Sequence, residues 1–252
     1  MKRRKKRIAG LFTAVVLILM ADLLVFYFAG IPKLDHAVMQ KAWRGLDLRS
    51  KYLENTDMVG WLQVEGTEIN YPVMRGERYL HRNFKKERDV SGSLFVENEW
   101  SNEDICTLIY GHNMWMYGTM LNPLHRFTEQ DFFQKNRSIQ YYVLNHSGYR
   151  AEKRTYEIIC CIRTSVDEWN YASCQYICSS EDLNTFLDEC RNRALLKTDT
   201  VFEAGEAIVL STCSYHVRGG KGRLLLVGSL TSRTDQNRID VQQRADKSTA
   251  KN

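Results

Sequence analysis

Apolar positions fall into one long run near the N-terminus and, from about residue 57, into a series of short ones. The long run, residues 8–31, is apolar apart from Thr13 and Asp22. As a helix it would be roughly 36 Å long at about 1.5 Å per residue, enough to span a bilayer. Residues 32–56 are charged and helix-compatible, with Leu34, Val38, Ala42, Leu46, Leu48 and Leu53 as packing positions, and predict a helical stalk. Short runs at 59–64, 68–73, 93–96 and 105–110 predict strands separated by Gly, Pro, Asn and charged turns. Alternation at 138–145 predicts a half-buried strand, and 155–164 another. The runs at 207–210 and from Arg223 to Leu230 are continuously apolar, as strands covered on both faces would be.

Residues 165–200 break this strand pattern. Ser179 and Asp182 form a capping box, and Leu183, Phe186, Leu187 and Cys190 recur at the spacing of one helical face. A second capping box, Thr128 to Asp131, predicts a brief helix over 128–135. Beyond Leu230 the only apolar residues are Ile239, Val241 and two alanines, so residues 231–252 are expected to be a disordered tail. Many short strands with short connections argue for a mostly β domain over 57–230, a barrel or sandwich with peripheral helices.

Charge and cysteine content change this picture in two places. The formal net charge is +5, but residues 2–7 are all Lys or Arg, so the rest of the chain is close to neutral. That excludes a nucleic-acid-binding surface of the usual kind, which carries its positive charge on the folded part. The basic cluster before the apolar run instead predicts an uncleaved anchor with a cytoplasmic N-terminus and an outward-facing domain. Asp22 is costly inside a membrane and has no evident partner. Seven cysteines are too many to ignore and, being odd in number and irregularly spaced, do not spell out a disulfide framework. Cys160 and Cys161 are neighbours on a strand, so their side chains face opposite ways. Cys174 and Cys178, four apart, could form a local bridge or part of a metal site.

The candidate chemistry lies at strand ends. Cys213 follows one apolar strand, a Gly-rich connection over 219–222 comes next, and Arg223 opens the returning strand. This predicts a thiol and a guanidinium facing each other, and nearby positive charge raises the thiolate fraction that makes a cysteine nucleophilic. A third strand, in TLIYGHNM (107–114), ends in Gly111 and His112, a general acid/base. The simpler reading is a small buried Cys213 and a solvent-seeking Arg223. Among the other histidines, His216 lies three residues from Cys213 and competes with His112. His81 sits in a polar loop, His125 follows a proline, and His146 lies in a turn.

YGHNM, followed far downstream by LSTCSY and an arginine ten residues after the cysteine, resembles the sortases, the cysteine transpeptidases of Gram-positive bacteria. The Cys-to-Arg spacing, the segment VGWLQVEGTEINYPV and the helical insertion before the cysteine strand are similar to class B in particular, over about residues 46–230. The family's Thr-Leu-x-Thr-Cys appears as Val209 to Cys213, with Val in the first place. The resemblance implies a closed β-barrel of about eight strands, with an N-terminal helical segment and the insertion bordering a substrate groove. It implies Cys213, His112 and Arg223 as catalytic residues, with Ser211, Thr212 and Asn113 as candidate substrate contacts.

The implied reaction cleaves a C-terminal sorting signal after Thr through a Cys213 thioester and passes the acyl group to an amine. Its implied partners are secreted proteins bearing that signal and the amine of a lipid-linked peptidoglycan precursor, met at the outer face of the cell membrane. It requires no metal and no organic cofactor. A membrane-anchored cysteine protease, a pilus-assembly sortase and a non-catalytic binding module remain open alternatives.

Overall fold

The computed structural model describes Met20 and residues 48–145, 150–199 and 205–235. The chain divides into two compact units, Met1–Arg44 and Gly45–Asn252, and every described residue except Met20 belongs to the second. The basic segment 2–7, all of the expected anchor 8–31 but Met20, most of the stalk 32–56 and His146 lie outside the described residues. Among the described residues no helix is long and apolar enough to cross a membrane.

Helix α1 (Leu48–Glu54) leads into strands β1 (Met58–Val64), β2 (Asn70–Arg75), β3 (Leu94–Val96) and β4 (Cys106–Tyr110). A two-stranded hairpin, β5 (Asn113–Met114) and β6 (Thr119–Met120), and helix α2 (Gln130–Lys135) precede β7 (Ser138–Leu144) and β8 (Ala151–Ser165). Helix α3 (Ser180–Asn192), β9 (Ala194–Lys197), β10 (Ala207–Cys213) and β11 (Gly222–Asp235) complete the order. Eight strands run β11-β10-β4-β3-β2-β1-β7-β8, and β8 pairs back to β11, closing a barrel with β9 added alongside β8. The pairs β2–β3 and β4–β10 are parallel and the others antiparallel. Closure leaves no unpaired edge in the wall.

Alternation along the wall sorts the apolar residues into two clusters. Leu62, Val73, Ile109, Cys161, Ile208, Leu210, Leu224 and Leu226 fill the barrel. Leu108, Cys160, Ile162, Val209, Leu225 and Val227 face outward beneath the insertion between β8 and β10. The insertion supplies Tyr171 and Cys174 from a 3-10 turn (Tyr171–Tyr176) and Leu183, Phe186, Leu187 and Cys190 from α3. This is the apolar face expected from the sequence, and each large side chain on it is worth roughly 1.5–3 kcal/mol when fully buried. The cap is also as expected: Asp182 N–H donates to Ser179 Oγ at 3.1 Å. Cys160 and Cys161 do face opposite sides of the wall.

Two expectations need correction. Helix α2 starts at Gln130 with Glu129 at its cap, because Thr128 Oγ1 donates instead to His125 O within the preceding 3-10 turn (Asn122–Thr128). Strand β11 runs to Asp235, five residues into the segment expected to be a tail. Those residues are polar and exposed, and main-chain pairing with the early part of β8 holds them, from Ser232↔Thr155 to Asp235↔Glu152. Arg233 also bonds Glu206, which is buried against Arg154 at 3.3 Å. Cys174 is buried and Cys178 exposed, and both are free thiols, so the local bridge that their spacing allowed is not made.

Candidate active site

The strand ends expected to carry the chemistry meet at one end of the barrel. Cys213, the last residue of β10, is the direct register partner of Arg223 on β11, and Arg223 is in turn opposite Thr164 on β8. On the other side β10 runs parallel to β4, with Ser211 opposite Tyr110. Continuing that register by two residues sets His112 opposite Cys213. The main chains stay together past the end of β4, because Gly111 N–H donates to Ser211 O at 3.2 Å and Thr212 Oγ1 donates to Gly111 O at 2.8 Å. Gly111 is required there, since a Cβ would stand 2.7 Å from Leu121 Cγ.

Cys213 is partly exposed, which leaves its thiol open to solvent. Its carbonyl is tied down from the hairpin side. Asn113 Nδ2 donates to Cys213 O at 2.8 Å, and His125 Nε2 stands 3.2 Å from the same oxygen. Asn122 Nδ2 donates to Asn113 Oδ1 at 2.6 Å and fixes that amide's orientation. The Arg223 guanidinium donates to the carbonyls of Gly220 and Gly222 at 2.8 and 2.9 Å, which turns it toward the loop that joins the two strands. Gly219 and Gly220 both have positive φ in that loop, as its glycine content implied.

His112 is half-buried, and its Nε2–H donates to Leu80 O at 2.9 Å. Leu80 lies in a 3-10 turn (Glu77–His81) anchored by Tyr79, whose hydroxyl meets Asn55 and Asp57 at 2.8 Å each. The bond leaves Nδ1 as the free nitrogen of the neutral ring. Burial holds the imidazole below its ordinary value, the Leu80 carbonyl opposes that shift, and the neighbouring His81 ring adds to it. His125 is also held low by burial, against the opposing pull of the Cys213 carbonyl. His216, the rival, is exposed and its Nδ1 pairs with Ser214 Oγ at 2.9 Å. His81 is exposed, as expected.

The three residues expected to contact substrate are placed differently. Ser211, Thr212 and Asn113 are buried, and their polar groups are used within the protein. Thr212 and Asn113 bond main-chain carbonyls beside the cysteine, and Ser211 Oγ meets Tyr171 Oη at 2.9 Å. They shape the strand end from beneath it. Tyr171 is the group that sequence reasoning did not find. Its buried hydroxyl reaches Arg223 as well as Ser211, and burial pushes the phenol up. Nothing in the sequence marks it among thirteen tyrosines, because only the packing of the insertion on β4 and β10 brings it there.

A partly exposed thiol, a paired guanidinium and an oriented imidazole on adjacent strand ends define a cysteine-dependent acyl-transfer enzyme built on a closed β-barrel. No family model matches the chain. Individual relatives do. Sortase B of Listeria monocytogenes is 29% identical over 194 residues, covering 74% of this chain and 75% of that protein. The solved structure of sortase B from Listeria monocytogenes is 30% identical, with a TM-score of 0.59 over 73% of this chain and 100% of the solved one. Clostridium perfringens sortase B gives 29% identity and a TM-score of 0.65 over 74% of this chain and 100% of its own. The chain belongs to the class B sortases and is a cysteine transpeptidase.

Proposed function

We propose that this sortase is held at the cell membrane by residues 8–31 and joins secreted proteins to the cell wall. The observation that supports this best is the pairing of Cys213 with Arg223 beside His112 on three adjacent strand ends. The Cys213 thiolate attacks the carbonyl carbon of the Thr in a sorting signal, forming a tetrahedral oxyanion. Arg223, with its planar fork of donors, bonds the substrate carbonyl and that oxyanion. Collapse breaks the C–N bond, and His112 Nδ1, which took up the Cys213 thiol proton as the thiolate formed, passes that proton to the leaving amine. The thioester then meets the amine of a lipid-linked peptidoglycan precursor; a new amide forms and the thiol is restored. Splitting amide exchange into two steps lets an amine, rather than water, take the acyl group.

The anchor reading rests on the apolar run 8–31 behind the basic residues 2–7. It would set the catalytic domain on the outer membrane face, where secreted protein and wall precursor both arrive. The test uses the full chain in detergent micelles, with Cys213→Ala as control. Each is incubated with peptides of the form Leu/Pro/Ser-Pro-x-Thr-Gly/Asn/Ser and with an amine donor, either a glycine-type peptide or a lysine side chain, and products are read by mass spectrometry. A mass adduct on Cys213 and an amine-ligated peptide, both lost in the variant, are expected. Cleavage without ligation by any donor would favour a protease, and ligation by lysine alone would move the reading to pilus assembly. A folded protein giving no adduct would overturn it.

A further inference from the structure

The proposed reaction uses one of seven cysteines. Four of the others, Cys106, Cys160, Cys174 and Cys190, lie in the single apolar layer between the barrel wall and the insertion, none more than 1% exposed. Cys106 opens β4 and Cys160 lies in β8, both on the outer face. The 3-10 turn that carries Cys174 packs on β4, and α3, which carries Cys190 in its last turn, packs on β8. The thiols follow their elements. Cys174 interacts directly with Cys106, and that contact together with burial pushes its thiol up. Burial and contact with Cys160 do the same for Cys190. Among the described residues no group of three or more such side chains is placed to hold a metal ion.

We propose that Cys106–Cys174 and Cys160–Cys190 are two disulfide pairs, formed when the folding domain meets a small-molecule disulfide such as oxidised glutathione. One thiolate of a pair attacks the reagent's S–S bond, giving a mixed disulfide and releasing one reagent thiol. The partner thiolate then attacks the protein-side sulfur and the second reagent thiol leaves. Each protein dithiol thus becomes a disulfide while one reagent disulfide becomes two thiols, which take up the two protons. That the domain meets such an oxidant rests on the outward-facing reading above; the pairing does not.

The consequence is positional. The sheet order β4-β10-β11-β8 places the strands of Cys213 and Arg223 between the two that would be bonded. The bonds therefore fasten the insertion on either side of the catalytic strands and hold Tyr171 against Ser211 and Arg223. The remaining cysteines have other surroundings: Cys161 faces the barrel interior, Cys178 is exposed and Cys213 is at the site. They stay as thiols.

The test refolds the full chain in detergent, once in a mixture of reduced and oxidised glutathione and once in excess reductant. Each sample is denatured, alkylated and mapped without reduction by mass spectrometry. The oxidised sample should show peptides crosslinked at 106–174 and 160–190, each lighter by two hydrogens, with alkyl groups only on Cys161, Cys178 and Cys213. It should melt about 10 °C higher than the reduced sample and lose that gain on reduction. Cys190→Ala should remove one crosslink and keep the other. Alkylation of all seven cysteines after oxidative refolding, a Cys174–Cys178 bridge, or zinc retained through dialysis would overturn the proposal. The Cys213 adduct measured on both samples keeps the two readings apart, because it reports on catalysis whether or not the bonds form.

Discussion

Gly92→Ala tests whether His112 is positioned by main chain remote from it in sequence. Gly92 has φ +58°, and a Cβ there would overlap Leu80 O and stand 2.7 Å from both Leu80 C and Tyr79 O. None of these atoms is the far end of a flexible side chain, so the turn itself must move. The left-handed backbone costs alanine roughly 1–2 kcal/mol. Losing the 2.9 Å bond between His112 and Leu80 O adds roughly 0.5–1.5 kcal/mol. With the displaced turn, the total should be about 2–4 kcal/mol, the range of a strained special position, and the melting temperature should fall by about 5–15 °C.

The effect on chemistry has its own signature. The Leu80 carbonyl favours the protonated ring, because it accepts from a charged donor in that state. Burial already holds His112 low, so removing the carbonyl should lower it further. Nuclear magnetic resonance of the imidazole across a pH series reads this directly. The rate of Cys213 acylation should drop by roughly 100-fold if the ring moves by about 1 Å. Gly118→Ala is the comparator. Its φ is +68° but its nearest neighbour to a new Cβ is Asn122 Oδ1 at 4.0 Å, so it carries the backbone cost alone. If Gly92→Ala melts with Gly118→Ala and His112 titrates as in the wild type, the turn does not position the histidine.

Two further outcomes follow from the same geometry. His112 and His125 are both held below their ordinary value by burial, so the unfolded chain binds protons more readily than the folded one. Their contribution to stability is complete above about pH 6.5 and is lost as the pH falls below it, so the melting temperature should decline between about pH 7 and 5; a rise on acidification would contradict this, and His125→Gln should flatten the slope. Tyr171→Phe leaves the buried Ser211 hydroxyl without its partner, costing roughly 1–3 kcal/mol, and releases Arg223, lowering acylation about tenfold. Adding Ser211→Ala should restore stability, seen by melting, but not the rate; recovery of both would show that Tyr171 acts only through packing.

What could be read from the sequence was whatever a side chain or a period of two or 3.6 announces. The Cys213–Arg223 pairing was legible because a glycine-rich connection between two apolar runs makes a hairpin, and a hairpin sets its strand ends face to face. Helix α3 was legible because its cap and its apolar face repeat the same message. The groups that orient the site were not, because much of that work is done by main-chain carbonyls, and every residue has one. Leu80 O holds His112, and Asn113 holds the carbonyl of Cys213; neither carbonyl differs in sequence from its neighbours. Strand β11 past Leu230 was missed for the related reason that ladder bonds can order a polar segment that buries nothing. Ser211, Thr212 and Asn113 were candidate substrate contacts through the family resemblance, yet each is buried with its polar group engaged, Ser211 beneath the insertion against Tyr171 and Thr212 and Asn113 on main-chain carbonyls. In a closed barrel the reactive groups need only project from strand ends, while their aim is set by what lies beneath and beside those ends. Substitutions at Gly92 and Asn113 should therefore change rate and histidine titration, and at Tyr171 the rate, without removing any reacting group.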